Sequence, residues 1–156
     1  MNKWFFHKKE NLTTRQREAI TNANTLLRSV NSSCSELITH LEFEGFTTEE
    51  AIFAAAHCGA DWMEQAKDSA LSYLKLKDHA FSYTALIDQL EFEGYTTEEA
   101  TYGADHCGAD WMEQAAKSAK SYLSISSFSR SGLIDQLEFE GFTHEQAVYG
   151  AEQNGY

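Results

Sequence analysis

Residues 41–46 have the sequence LEFEGF, and this hexapeptide returns as LEFEGY at 90–95 and as LEFEGF at 137–142. A ten-residue string, HCGADWMEQA, also occurs twice, at 57–66 and at 106–115. Self-similarity at a spacing of about 50 residues is typical of proteins built from stacked structural repeats. We therefore predict a basic N-terminal segment followed by three tandem repeats, with boundaries at 1–13, 14–60, 61–109 and 110–156.

Helix signals recur at the same places in every repeat. In the second repeat, Asp61 is a predicted N-cap with Glu64 three residues later, Gly94 ends the next helix, and Thr96 with Glu99 forms a capping box. Proline is absent, so no helix interior is interrupted. The pattern predicts an all-α fold of three three-helix repeats, each with a helix-turn-helix-like corner, stacked as a short array.

Two tryptophans, Trp62 and Trp111, directly follow predicted helix caps. We interpret them as core anchors in preference to a ligand-binding box. In the first repeat, Thr14 and Arg15 occupy the positions of the cap and of the tryptophan.

The phenylalanine of the hexapeptide falls on the second apolar face of its helix. With about 100° per residue, Leu37 and Leu41 lie on one side and Phe43 on the opposite side. A second apolar face is expected where a helix packs against a neighbouring repeat, which is the interpretation we favour for the phenylalanines. The alternative is a row of exposed rings that docks a partner. These residues are Phe43, Phe92 and Phe139.

Two glutamates flank each phenylalanine. Those that follow it lie in the last helical turn and are expected to bind the free N–H groups of the next helix: Glu44, Glu93 and Glu140. Those that precede it are expected to face solvent: Glu42, Glu91 and Glu138. The candidate partner-binding residues are therefore the three phenylalanines and the three preceding glutamates.

The net charge of −12 is unevenly distributed. Residues 1–30 contain six basic and two acidic residues, whereas the rest of the chain contains six basic and 22 acidic ones. Such an acidic body repels phosphate backbones, which argues against nucleic acid as a partner. A protein partner with a basic surface is the expected complement.

The sequence contains no pattern of known catalytic chemistry. GxSxG, HExxH, P-loop and GxGxxG motifs are absent, so we predict no enzyme activity, no cofactor and no small-molecule substrate. The pairs His57–Cys58 and His106–Cys107 point about 100° apart on a helix and cannot chelate one ion alone. We therefore predict no metal site.

The N-terminus lacks the apolar stretch of a secretory signal, and no apolar run reaches the roughly 18 residues that a membrane span needs. Three cysteines without a CxxC motif fit a reducing compartment. These features predict a cytoplasmic protein without a membrane span.

Residues 128–156, FSRSGLIDQLEFEGFTHEQAVYGAEQNGY, and 108–123, GADWMEQAAKSAKSYL, resemble the repeat of the Ltp-like host cell surface-exposed lipoproteins. The resemblance is close over 57–156, fair in the first repeat and absent in 1–13. It implies a bacterial or prophage protein of superinfection exclusion, which binds a phage protein outside the membrane. The sequence departs from the family in lacking a lipobox, because Cys34 follows polar residues.

Three functions are consistent with these features. The leading one is a non-enzymatic protein-binding module of phage or prophage origin. The second is an acidic inhibitor that occupies the nucleic-acid groove of a defence nuclease. The third is a DNA-binding regulator that uses the helix-turn-helix-like corners and the basic N-terminal segment. A homodimer could cover the last apolar face of the array.

Overall fold

The computed structural model describes residues 11–156. Within this range the chain forms nine α-helices and no strand, which confirms the predicted all-α class. The helices are α1 Thr14–Ser29, α2 Cys34–Phe43, α3 Thr48–His57, α4 Trp62–Leu74, α5 Tyr83–Phe92, α6 Thr97–His106, α7 Trp111–Ile125, α8 Arg130–Phe139 and α9 His144–Gln153.

Most of the predicted helix starts are present. Capping boxes open α3, α6 and α9 at Thr47, Thr96 and Thr143. Asp61 Oδ1 accepts hydrogen bonds from the first-turn N–H groups of α4, at 3.1 and 3.2 Å. The exception is α1, whose N-cap is Thr13 and not Thr14, because the capping box is formed with Gln16.

The helices pack in three groups, which we call the first (α1–α3), second (α4–α6) and third (α7–α9) units. Each unit has its own core, in which two leucines of the middle helix meet alanines of the outer helices. In the second unit Leu86 and Leu90 are fully buried. A Cβ added to Gly103 would lie 2.8 Å from the Ala66 carbonyl oxygen, so small residues permit the close approach of α4 and α6. The repeat boundaries along the chain stay a prediction.

Tyrosine hydroxyls tie the outer helices of a unit together. Tyr102 of α6 donates to Glu64 of α4, and Tyr149 of α9 donates to Glu113 of α7, both at 2.9 Å. Asp61 caps α4 and Asp110 caps α7. In neither helix does the glutamate three residues later accept a hydrogen bond from the backbone of the cap residue. The predicted capping-box partners therefore serve the packing of α4 on α6 and of α7 on α9.

Neighbouring units meet through helix ends. At the first junction, Ser33 Oγ at the start of α2 donates to the Glu93 carbonyl oxygen at the end of α5 (2.7 Å), and Ser35 Oγ donates to that of Gly94 (3.0 Å). Gly94 has a φ of +90°, and a Cβ there would collide with Ser35 Oγ. Helix N-termini carry partial positive charge and C-termini partial negative charge, so this end-to-end contact is favourable.

The second junction repeats this arrangement between the second and third units. Ser82 Oγ donates to the Glu140 carbonyl oxygen (2.6 Å), and Thr84 Oγ1 lies 3.5 Å from that of Gly141. The repeated Ser-x-Ser or Ser-x-Thr at the start of each middle helix therefore has two roles. It caps its own helix and it binds the next unit.

The tryptophans anchor each unit to the one before it. Trp62 packs against the core of the first unit and Trp111 against that of the second. They are anchors, as predicted, but in the core of the preceding unit. Arg15, at the equivalent position of α1, lies with its guanidinium 4.5 Å from the centre of the Phe46 ring and donates to the Gly45 carbonyl oxygen at 2.8 Å.

Candidate interaction surface

The three phenylalanines of the hexapeptide lie in solvent. The exposed fractions are 92% for Phe43, 88% for Phe92 and 85% for Phe139. The favoured interpretation, packing between repeats, is therefore wrong. The middle helices of neighbouring units meet at their ends, so the second apolar face of each stays uncovered.

Each ring is the last residue of its helix, two positions after a buried leucine such as Leu41 or Leu90. The leucine faces the unit core and the phenylalanine the opposite side. Exposed apolar surface that exceeds ordinary scattered residues often marks an interaction site, and here a large ring is exposed at the same position of all three units.

The glutamates that precede the rings hold the helix corners. Thr97 Oγ1 donates to Glu91 Oε1 at 2.5 Å, and Thr48 Oγ1 donates to Glu42. In the third unit His144 Nδ1 lies 3.0 Å from Glu138 Oε1. Glu42 and Glu138 are exposed and Glu91 is half-buried, so these carboxylates reach solvent beside the rings.

The glutamates that follow the rings do not bind the N–H groups of the next helix, contrary to expectation. Glu93 accepts from the Tyr73 hydroxyl, and Glu140 Oε1 accepts from that of Tyr122 at 2.6 Å. The start of the next helix is already capped by its own threonine and glutamate or glutamine. In the first unit Leu26 occupies the tyrosine position, so Glu44 lacks this partner.

We call the three phenylalanines and the glutamates that precede them the Glu-Phe surface. Its members occupy equivalent positions on α2, α5 and α8, which follow one another end to end through the two junctions. Each unit therefore presents an aromatic ring beside a carboxylate. Such pairs suit contact with apolar side chains that are flanked by basic groups.

The histidine–cysteine pairs have structural environments. The His57 ring stacks on Phe53 with 3.9 Å between ring centroids, and its Nδ1 lies 2.7 Å from the Phe53 carbonyl oxygen. Cys107 is buried, which raises the pKa of its thiol. Within residues 11–156, no group of three or more histidine, cysteine or acidic side chains is placed to hold a metal ion.

Comparison with known proteins gives one match. A family model described as "Host cell surface-exposed lipoprotein" (Ltp) matches residues 61–107 and again residues 110–153. The two segments correspond to the second and third units and cover more than half of the chain. The chain belongs to this family. Neither the curated proteins nor the solved structures contain a match.

Membership of the Ltp family supports a non-enzymatic role connected with phage infection. The family description is that of proteins exposed on the host cell surface. Over the described part of the chain, no helix has the length and apolar character needed to cross a bilayer. The cytoplasmic location inferred from the sequence stays a prediction.

Proposed function

We propose that this Ltp-family chain is a non-enzymatic protein-binding module of phage or prophage origin, and that it interferes with phage infection by binding a phage or host protein through the Glu-Phe surface. The observation that carries the proposal is the exposure of the same phenylalanine in all three units. A single exposed ring is ordinary, but the same ring exposed at one position of every unit is a patterned surface.

The rings can supply much of the binding free energy. Complete burial of one phenylalanine contributes about 1.5–3 kcal/mol, and large aromatic residues are common among the residues that dominate protein interfaces. Because the rings are already in solvent, binding requires no unfolding of a unit core. The junctions hold α5 at both ends and α2 and α8 at one end each, so the helices that carry the rings are already ordered before binding and little conformational entropy is lost.

The carboxylates favour a basic partner. Glu42, Glu91 and Glu138 accompany the rings, and the whole chain carries a net charge of −12. Opposite charge on the partner would accelerate association, and this effect weakens as salt screens the field.

The test uses a partner captured from infected cells and identified. The triple variant Phe43→Ala, Phe92→Ala, Phe139→Ala should keep the wild-type melting temperature and lose at least about tenfold in affinity, because exposed rings contribute contact energy and little stability. Surface plasmon resonance measures the affinity and calorimetry the stability. Unchanged binding would remove the rings from the site.

A second triple variant tests the charges. Glu42→Gln, Glu91→Gln, Glu138→Gln should slow association and reduce its salt dependence. The matched control is Glu49→Gln, Glu98→Gln, Glu145→Gln, which removes three exposed carboxylates at equivalent positions on α3, α6 and α9. Equal slowing by both variants would mean that only net charge matters.

Inhibition of a nuclease is the second candidate, motivated by the 22 acidic residues beyond residue 30. In that case, DNA or RNA should compete with this chain for the captured protein, whereas a phage structural protein would show no such competition. A direct complex of the chain with DNA, seen as a gel shift at low salt, would instead support a regulator.

A further inference from the structure

The third-unit end of the array carries one half of a junction. Ser129 and Ser131 stand at the start of α8, where Ser33 and Ser35 stand at the start of α2. At the two formed junctions Ser33 and Ser82 are buried, with 0% and 1% exposed, whereas their counterpart Ser129 is exposed. The hydroxyl that binds the next unit at both internal junctions is therefore exposed in the third unit.

An apolar residue that precedes α8 along the chain is also exposed. Ile125, the last residue of α7, is 81% exposed. It leads into the connection that starts α8. There Ser129 Oγ accepts from the Gly132 N–H at 3.0 Å and lies 3.4 Å from Ser131 Oγ, as Ser33 does with Glu36 and Ser35 at the first junction.

The first-unit end carries the other half. The carbonyl groups of Glu44 and Gly45 are the equivalents of those that accept from Ser33 and Ser35 at the first junction. A Cβ built on Gly45 would meet nothing within 4 Å among the described residues, whereas one on Gly94 would collide with Ser35. Space for a docking hydroxyl is therefore open beside Gly45.

A cavity lies on this same end. Its volume is about 540 Å³, and its walls include Glu18, Asn22, Glu44 and Phe46. These residues correspond to the side of the second unit that receives the first, where Gln65 Oε1 accepts from the Ser32 N–H at 3.2 Å. Glu18 stands in the place of Gln65 and offers a carboxylate oxygen to the same donor.

We propose that the third unit of one copy of this chain docks on the first unit of a second copy and reproduces the internal junction. Ser129 and Ser131 would donate to the carbonyl groups of Glu44 and Gly45, and the Phe128 N–H to Glu18. The Gly45 oxygen already accepts from Arg15 at 2.8 Å, so Ser131 would use its second lone pair. The two halves are different surfaces on opposite ends, so the contact is heterologous and the assembly grows open-ended.

The proposed contact between copies lacks the tryptophan contact of the internal junctions, because residues on both of its sides differ. At the first junction Trp62 and Cys58 both pack against the core of the first unit. In the proposed contact Arg15 replaces the tryptophan and Asn154 replaces the cysteine. A polar pair replaces an apolar pair, so association is weaker than the internal junctions and reversible, and it leaves the Glu-Phe surface uncovered.

Sedimentation of the full chain over a wide concentration range tests the proposal. The mean mass should rise continuously with concentration, without a plateau at the dimer. Ser131→Tyr should weaken association by about tenfold or more, because the internal junctions leave no room beside the hydroxyl. Asp135→Tyr is the control, since the hydroxyl of the equivalent Thr39 donates within its own helix at the first junction, whereas that of Ser35 donates to the second unit.

Mixing blocked chains distinguishes this contact from a symmetric dimer. Asn22→Tyr fills the cavity at the first-unit end, and each blocked variant alone should stay monomeric. In a mixture of the two variants, the first-unit end of Ser131→Tyr can still bind the third-unit end of Asn22→Tyr. The mixture should therefore form a dimer and no larger species. If neither substitution weakens the association of the chain, the proposed contact is wrong.

A restored variant provides the opposite test. Arg15→Trp together with Asn154→Cys gives the two ends the tryptophan and the cysteine of the first junction. The affinity between copies should then increase by about tenfold or more over wild type. Wild-type and restored chains that both remain monomeric at the highest attainable concentration would overturn the proposal.

Discussion

An open cavity borders each junction, with a volume of about 420 Å³ at the first and about 480 Å³ at the second, but only the second junction is bridged by a lysine. The walls of the cavity at the first junction include Arg28, Glu36, Tyr73 and Glu93. At the second junction Lys117 Nζ donates to the carbonyl oxygens of Leu76 and of His79, the latter at 2.6 Å.

Sequence differences account for this contrast. The connection to the middle helix is two residues longer in the second unit, which brings its carbonyl groups to Lys117. Tyr83 packs edge-on against Trp111, with 5.6 Å between ring centroids, where the first junction has Cys34 beside Trp62. The same hydroxyl–carbonyl bonds thus set the geometry of both junctions, and the surrounding side chains set their strength.

The largest expected effect concerns the tryptophans. Trp111→Ala should lower the free energy of unfolding by about 3–4 kcal/mol and Trp62→Ala by about 2–3 kcal/mol, because only Trp111 also loses an aromatic pair. Urea unfolding followed by circular dichroism measures both. We expect the second junction to be stronger than the first because of this aromatic pair. Equal losses, or a larger loss for Trp62→Ala, would contradict that expectation.

Helix positions and their caps followed from the sequence because they depend on local residues. Thr47, Thr96 and Thr143 cap their helices whatever the neighbours do. The mode of stacking did not follow, because a two-faced helix such as α5 fits both side-by-side and end-to-end packing. Ser-x-Ser or Ser-x-Thr, present three times, was the signal for end-to-end contact, and its capping role concealed it.

The candidate site shows the same division. The sequence placed Phe43 opposite Leu41 correctly, since that follows from helix geometry alone. Whether the ring was covered depended on where the next unit docks, which no local pattern encodes. The partners of Glu91 and Glu93 were missed for a similar reason, because the hydroxyls of Thr97 and Tyr73 come from other helices.

An intermediate effect is expected for the lysine bridge. Lys117→Met should lower the free energy of unfolding by about 1 kcal/mol, since hydrogen bonds from a charged donor are lost at a partly exposed site. Lys120→Met is the matched control, because Lys120 lies on the same helix and lines the same surface cavity. A comparable loss in both variants would mean that Lys117 acts through net charge and not through the bridge.

The smallest effect concerns the acidic first junction. Burial, and then the Glu36 carboxylate, raises the pKa of Glu93 above its ordinary 4.5. The protonated form is therefore favoured by folding, and this stability is present below about pH 4.5 and lost as the pH rises through the folded-state pKa. Glu93→Gln should slightly raise the melting temperature at pH 7 and leave it unchanged at pH 4.

Glu140→Gln is the control at the second junction, where Ala85 replaces Glu36 and the like-charged neighbour is missing. Calorimetry between pH 4 and pH 7 compares the two variants. If Glu140→Gln raised the melting temperature at pH 7 as much as Glu93→Gln does, repulsion between Glu36 and Glu93 would not be the cause of the effect.

The end-to-end junctions also set an order of events during synthesis. The bond between Ser33 and Glu93 joins residues 60 positions apart, and the bond between Ser82 and Glu140 joins residues 58 apart. Each unit core, by contrast, is formed from one continuous stretch of chain. A unit can therefore form its core as it leaves the ribosome. Its serine hydroxyls stay exposed to solvent until the middle helix of the next unit has been synthesised. Every nascent chain thus exposes a docking-competent end for the time needed to synthesise one more unit.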